Sequence, residues 1–136
     1  MSQKLKDLVT MLICDDVQKS IRFYSDVLGF RLTNRMDDVG PSGWASLNHG
    51  TIQLMLASPH QAPAPVKVDG RYPQVCFYFY PEDVEALRAS ILNQGHAASE
   101  LVVRFYGMKE FEMLDPSGHV LVFGQETDEP PTPGQA

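Results

Sequence analysis

The sequence has few cysteines, few basic residues and no long apolar run, and each shortage excludes a class of protein. Two cysteines in 136 residues cannot build a dense disulfide framework. Eleven Lys and Arg against 17 Asp and Glu give a formal charge of −6, which argues against binding nucleic acid or an anionic membrane surface. No stretch approaches the roughly 20 apolar residues of a membrane span, and no secretory signal is visible. We therefore expect a cytoplasmic protein without nucleic-acid or membrane partners, whose acidity leaves room for a cationic or neutral ligand.

The composition is that of one folded domain. Apolar residues make up 43% of the chain, and a chain of this length buries roughly two thirds of the surface that its unfolded form exposes. Residues 1–125 are therefore predicted to fold as a single domain without a disulfide or a structural metal. Cys14 and Cys76 lie in apolar stretches, which favours buried free thiols. Residues 126–136 hold three prolines, three acids and no apolar run, which predicts a disordered tail.

One pattern of elements occurs twice along the chain. Residues 8–57 contain a strand-like stretch, a helix that starts at Asp16 and three further strands, and residues 74–125 repeat this order with Asp83 at the equivalent helix start. The four prolines of residues 58–73 predict a linker between the two modules. The expected strands are 8–13, 30–35, 44–47 and 51–56, then 75–80, 99–104, 110–114 and 120–123. The repetition predicts an α+β fold of two tandem βαβββ modules.

Two sequence motifs and this duplication resemble the vicinal oxygen chelate superfamily. The motifs are FYSDVLGF (23–30) and YGMKEFEMLDPSGHVLVFG (106–124), and the resemblance covers residues 8–125. The superfamily includes glyoxalase I, extradiol dioxygenases, fosfomycin-resistance enzymes and bleomycin-resistance proteins. The resemblance implies an open, cup-like mixed β-sheet barrel with the helices outside and the ligand inside. A second subunit often closes such cups, so we expect a homodimer.

The superfamily's metal site can be read at four positions. Its enzymes resemble one another in placing His, Glu or Gln ligands there, and the matching residues here are Val9, Gln53, Cys76 and Val122. Valine has no lone pair to donate, and a catalytic site needs about three protein ligands. The four histidines are predicted in turns, loops or the linker, which favours surface positions: His49, His60, His96 and His119. We therefore expect no bound metal and no cofactor.

Aromatic and acidic residues remain as candidates for ligand binding. Strand alternation places Cys76 and Tyr78 on one face of a strand, with Phe77 and Phe79 on the other, and Glu110 and Glu112 share a face by the same parity. In the bleomycin-resistance proteins, aromatics at positions matching Trp44, Tyr78 and Tyr106 resemble a stacking set for a flat heteroaromatic ligand. The predicted ligand-binding set is Trp44, Gln53, Cys76, Tyr78, Phe105, Tyr106, Glu110 and Glu112. Ordinary core, rim or strand-edge packing is the alternative for each of them. Asp37 and Asp38 are interpreted as a polar loop, and Asp115 as the residue that holds a turn.

Three functional hypotheses follow. The first is a small-molecule binding protein of the bleomycin-resistance type, which sequesters a planar or cationic compound without chemistry. The second is a metal-dependent glyoxalase-like lyase or isomerase, or a dioxygenase, with an atypical metal site. The third is a metal-free enzyme that uses Glu110, Glu112 or Tyr106 as acid or base. The sequence contains no GxSxG, GxGxxG, Walker, CxxC or HExxH motif that would favour another class.

Overall fold

The computed structural model describes residues 7–36, 43–59 and 76–134. These residues fall into two compact units, one on either side of a boundary between Val66 and Lys67. Each unit contains one helix and one four-stranded mixed sheet, which confirms the predicted pair of βαβββ modules. Most of the predicted linker, together with Asp37, Asp38 and His60, lies outside the described residues. In the described part of the chain, no helix has the length and apolar character needed to span a membrane.

The first unit has its strands in the order β1-β4-β3-β2. Its elements are β1 (Thr10–Ile13), α1 (Val17–Asp26), β2 (Arg31–Arg35), β3 (Trp44–His49) and β4 (Ile52–Ala57). The strands β1 and β4 run parallel, and the other neighbours are antiparallel. The Asp16 side chain begins α1 by accepting the N–H of Lys19 at 3.0 Å. Apolar side chains of α1 and of the sheet form the buried core between them: Leu12, Val17, Ile21, Tyr24, Leu47, Leu54 and Leu56.

The second unit repeats this arrangement with the strand order β5-β8-β7-β6. Its elements are β5 (Cys76–Phe79), α2 (Val84–Asn93), β6 (Val102–Val103), β7 (Met108–Leu114) and β8 (Val120–Glu126). Asp83 begins α2 as Asp16 begins α1, because its carboxylate accepts the N–H of Ala86 at 3.0 Å. The N–H of Val84 then donates to the side-chain oxygen of Gln125 at 2.8 Å, which fixes the start of α2 to β8.

The two faces of the second sheet differ, as strand alternation predicts. Residues paired in register project from the same face, and the rings of Phe79, Phe123 and Phe111 stack in that order with centroids 5.3 and 5.0 Å apart. The helix α2 packs against β7 and β8. The candidate site lies on the other face of this sheet. The residues on that face are Cys76, Tyr78, Glu110, Glu112 and Val122.

Several predicted boundaries differ from the structure. The strand expected at 99–104 is only Val102–Val103, and β8 continues to Glu126. The turn expected at 48–50 starts later, because His49 still belongs to β3 and its ring packs against Phe30 with centroids 5.4 Å apart.

The C-terminal segment makes contacts with β6 and β7. The N–H of Thr132 donates to the carbonyl of Val103 at 2.9 Å, and the hydroxyl of Thr132 accepts the N–H of Val103 at 2.8 Å. Glu129 pairs with Lys109 of β7 at 2.9 Å. The outer edge of β6 would otherwise present unpaired backbone groups, and residues 127–134 satisfy some of them.

Candidate functional site

A pocket of about 320 Å³ opens on the face of the second sheet that is opposite α2. Six of the eight predicted ligand-binding residues line it, namely Cys76, Tyr78, Phe105, Tyr106, Glu110 and Glu112. Arg104 and Val122 complete the lining. Sequence reasoning did not select Arg104 for the site, although it directly precedes the aromatic pair and is one of only five Lys and Arg in residues 67–136.

Glu110 is the buried centre of this pocket. Only 4% of its surface is exposed, although it carries a carboxylate. The hydroxyls of Tyr78 and Tyr106 donate to its Oε2 at 2.5 and 2.8 Å, and the Nε of Arg104 donates to its Oε1 at 3.1 Å. A buried carboxylate is tolerated when such donors replace its water. Glu110 is therefore not a solvated strand-edge residue, which was the alternative interpretation of its sequence.

Arg104 and Glu112 extend the charged network towards solvent. The Nη2 of Arg104 lies 3.8 Å from the Oε1 of Glu112, whose side chain is about half exposed. One guanidinium between two carboxylates gives the pocket lining a formal charge of −1. This sign agrees with the distribution of charge along the chain. Residues 1–66 contain six acids and six bases, whereas residues 67–136 contain eleven acids and five bases, so the unit with the pocket carries the whole net charge.

The two tyrosines are held in their protonated state. Burial, the hydrogen bond to Glu110 and the charge of Glu110 together raise the pKa of Tyr78 far above its usual value of 10.0. The same causes, in the same order, raise the pKa of Tyr106. Both hydroxyls therefore remain hydrogen-bond donors to Glu110 at neutral and moderately alkaline pH.

Gly124 makes room for the ring of Tyr78. Gly124 pairs in register with Glu110, and the Tyr78 ring crosses it to reach that carboxylate. An ideal Cβ at Gly124 would lie 2.0 Å from the Oη and 2.6 Å from the Cζ of Tyr78. Sequence reasoning missed this residue, although a glycine inside a strand indicates a close approach by another group.

Two aromatic rings form the exposed rim. Phe105 and Tyr106 lie in the turn between β6 and β7, and they are 65% and 53% exposed. Their rings are nearly perpendicular, with centroids 5.1 Å apart. Gly107 continues the turn with a φ of 84° that glycine adopts without strain. The rim therefore presents aromatic surface to solvent beside the buried charge.

Trp44 and Gln53, the other two predicted ligand-binding residues, both belong to the first unit. Trp44 is the half-buried first residue of β3 and pairs with Ala57. The Nε2 of Gln53 donates to the hydroxyl of Ser46 at 3.0 Å, so this amide is used within its own sheet. Neither residue lines the pocket described above.

The four superfamily metal positions do not fit a metal ion. Val9 and Val122 offer no side-chain donor atom, so Gln53 and Cys76 could supply at most two ligands. Cys76 is exposed at the start of β5, which corrects the expectation of a buried thiol, whereas Cys14 is buried as expected. Among residues 7–36, 43–59 and 76–134, no group of three His, Cys, Asp or Glu side chains could hold a metal.

The histidines near turns have structural contacts. The ring of His49 packs on Phe30, and the Nδ1 of His119 lies 2.7 Å from the Oδ2 of Asp115. The Oδ1 of Asp115 accepts the N–H groups of Ser117 and His119, each at 2.9 Å. Asp115 therefore holds its turn, as its sequence context predicts.

The tandem βαβββ architecture, with a pocket on the face of the second sheet opposite α2, defines the class of fold. The sequence matches the Glyoxalase/Bleomycin resistance protein/Dioxygenase superfamily over residues 8–123, and the chain belongs to this superfamily. No curated protein matches it.

Solved structures with the same fold share little sequence with this chain. The lactoylglutathione lyase of Agrobacterium tumefaciens is 20% identical, with a TM-score of 0.69 over 90% of this chain and 96% of the other. TioX of Micromonospora sp. ML1 is 21% identical, with a TM-score of 0.73 over 88% and 97%. A glyoxalase/bleomycin resistance protein/dioxygenase from Nocardioides is 15% identical, with a TM-score of 0.71 over 100% and 92%. At these identities the similarity establishes the fold and leaves the activity open.

Proposed function

We propose that this protein binds a small planar molecule of cationic or amphipathic character in the pocket of its second unit and carries out no chemistry on it. The observation that supports this most is the buried Glu110, held by Tyr78, Tyr106 and Arg104 beside exposed aromatic rings. A fixed negative charge next to aromatic surface suits a flat ligand with a positive group. Such a protein would act by stoichiometric capture, as in the bleomycin-resistance type that its motifs resemble.

The state of the polar groups favours binding over acid–base catalysis. Efficient general acids and bases have pKa values near the working pH. The pKa values of Tyr78 and Tyr106 are raised, so neither hydroxyl becomes a base at neutral pH. Both oxygens of Glu110 already accept hydrogen bonds. These contacts weigh against the metal-free enzyme hypothesis for Glu110 and Tyr106, and the missing donors at the superfamily positions weigh against the metal-dependent one.

The size and charge of the pocket agree with this proposal. Its volume of about 320 Å³ lies within the range of roughly 300–1,000 Å³ that is typical of small-molecule sites. Each contact of a cation with an aromatic face contributes roughly 0.5–2 kcal/mol. The excess of acids in residues 67–136 would attract a cation before it reaches the pocket.

The proposal includes a homodimer in the cytoplasm. Its support is the resemblance to proteins whose cups are often closed by a second subunit. Light scattering coupled to size-exclusion chromatography tests the assembly, because a dimer has twice the 15.2 kDa of one chain. A single-chain mass at all concentrations would contradict the dimer without affecting the binding proposal.

The binding proposal is tested by isothermal titration with bleomycin and other planar cations. We expect saturable binding to the wild type and a loss of about tenfold in Tyr106→Ala, because that change removes an exposed ring from the pocket rim. Leu114→Ala is the control, since Leu114 is an apolar residue that is 61% exposed and does not line the pocket. Absence of saturable binding, together with turnover of a glyoxalase-type substrate, would refute the proposal.

A further inference from the structure

The phenol protons of the pocket are already used inside the protein. The hydroxyls of Tyr78 and Tyr106 both donate to one atom, the Oε2 of Glu110, at 2.5 and 2.8 Å. A phenol has one proton, so a hydroxyl that donates it to Glu110 can offer a ligand only its oxygen lone pairs. The two tyrosines therefore meet a ligand as acceptors.

The charged residues of the lining reinforce this pattern. The positive charge of Arg104 is balanced by two carboxylates, since its Nε donates to Glu110 at 3.1 Å and its Nη2 lies 3.8 Å from Glu112. The ionised Glu112 carboxylate has no proton to give, and its side chain is 52% exposed. The groups that can receive a ligand's hydrogen bond are thus two phenol oxygens and one half-exposed carboxylate, in a lining with a formal charge of −1.

We propose that this pocket selects its ligand by N–H donors, and that the ligand class is a primary ammonium or amidinium ion attached to a flat ring system. This inference rests on the proposed binding function and makes it more specific. A primary ammonium carries three N–H donors and an amidinium four, and either matches an acceptor set of negative charge. A quaternary ammonium has the same charge and the same attraction to aromatic faces but no donor. Donor count and charge can therefore be separated experimentally.

The test is a calorimetric titration of the full chain with four ligands that share one naphthyl ring. They are naphthylmethylammonium, its N,N,N-trimethyl derivative, naphthylmethanol and naphthoate. We expect the primary ammonium to bind at least about tenfold more tightly than the trimethyl ion, because one charge-assisted hydrogen bond is worth at least that factor. Naphthoate is expected to bind most weakly, since its carboxylate meets a lining of net negative charge.

Variants connect this preference to the named residues. In Glu112→Gln, which keeps the size of an exposed side chain and removes its charge, the ratio between the primary and the trimethyl ion should fall severalfold. Glu85→Gln is the matched control, because Glu85 is also an exposed carboxylate but does not line the pocket, and it should leave the ratio unchanged. An unchanged ratio in Glu112→Gln would overturn the donor inference.

The outcomes separate this inference from the proposal on which it rests. If the trimethyl ion binds as tightly as the primary ammonium, or naphthoate binds best, the donor inference is overturned and binding of flat ligands still stands. If none of the four ligands or the planar cations above binds, both the inference and the proposed function are overturned.

Discussion

The contact between Gly124 and Tyr78 gives the most quantitative prediction. In the variant Gly124→Ala, the new methyl group would occupy the space of the tyrosine, since its carbon would lie 2.0 Å from Oη, 2.6 Å from Cζ and 3.0 Å from Cε1. Ordinary contacts between non-bonded carbon atoms are about 3.5–4.0 Å. The tyrosine ring must therefore move by roughly 1 Å or more, which breaks its 2.5 Å hydrogen bond to Glu110. Gly124 is not among the glycines with positive φ, so alanine fits the backbone itself.

The size of the effect follows from two opposing contributions. Loss of a hydrogen bond to a charged, buried group costs about 1.5–3 kcal/mol. Replacing glycine by alanine inside a strand stabilises by about 0.5–1 kcal/mol. We therefore expect Gly124→Ala to lower the free energy of unfolding by about 1–2 kcal/mol.

The control is the same change in a Tyr78→Ala background. The three atoms nearest to the new methyl carbon all belong to Tyr78, so without that ring Gly124→Ala should stabilise the protein by up to about 1 kcal/mol. Urea unfolding of the four proteins gives the coupling energy, which we expect at about 2–3 kcal/mol. An equal effect of Gly124→Ala in both backgrounds would refute the reasoning.

Three further predictions concern the cores, the helix starts and the tyrosines. Ser20 is fully buried and its hydroxyl has no hydrogen-bond partner among the described residues, so Ser20→Ala should raise the unfolding free energy by about 1 kcal/mol in urea titrations. Asp16→Ala and Asp83→Ala should each lower the unfolding free energy by about 1 kcal/mol, because each removes a helix cap. The corresponding Asn variants should retain most of the stabilisation by the cap. The raised pKa values of Tyr78 and Tyr106 mean that the unfolded chain loses these protons first as pH rises. Their stabilisation is therefore complete below about pH 10 and is lost above it, so stability measured between about pH 8 and 11 should fall less steeply in a variant with both tyrosines changed to Phe.

Each of these has a result that would contradict it. Destabilisation by Ser20→Ala would show that the hydroxyl has a partner after all. Asn variants as unstable as the Ala variants would mean that Asp16 and Asp83 act through charge and not through the cap. Equal alkaline slopes in wild type and double variant would show that the two tyrosines do not keep their protons longer in the folded state.

Local chemistry made most of the fold predictable. Asp16 and Asp83 are recognisable as helix starts because a cap needs only residues three positions apart. The faces of β5 and β7 follow from alternation, which is a property of any extended strand. Element lengths were less predictable, since β6 keeps only Val102–Val103 as strand and Thr132 occupies its outer edge. That contact joins residues 29 positions apart and has no local signal.

The sequence by itself determined the duplicated modules, the aromatic candidates and the absence of donors at Val9 and Val122. Only the tertiary structure decided that Glu110 is a buried, hydrogen-bonded carboxylate, because its partners Tyr78 and Arg104 come from other segments of the chain. The alternation of side chains along each strand places Glu110 on the same face as Tyr78, but it is compatible with either a solvated or a buried carboxylate. Its burial depends on three side chains meeting it and on a glycine that lets one of them pass, and distances between strands are set by packing rather than by sequence spacing.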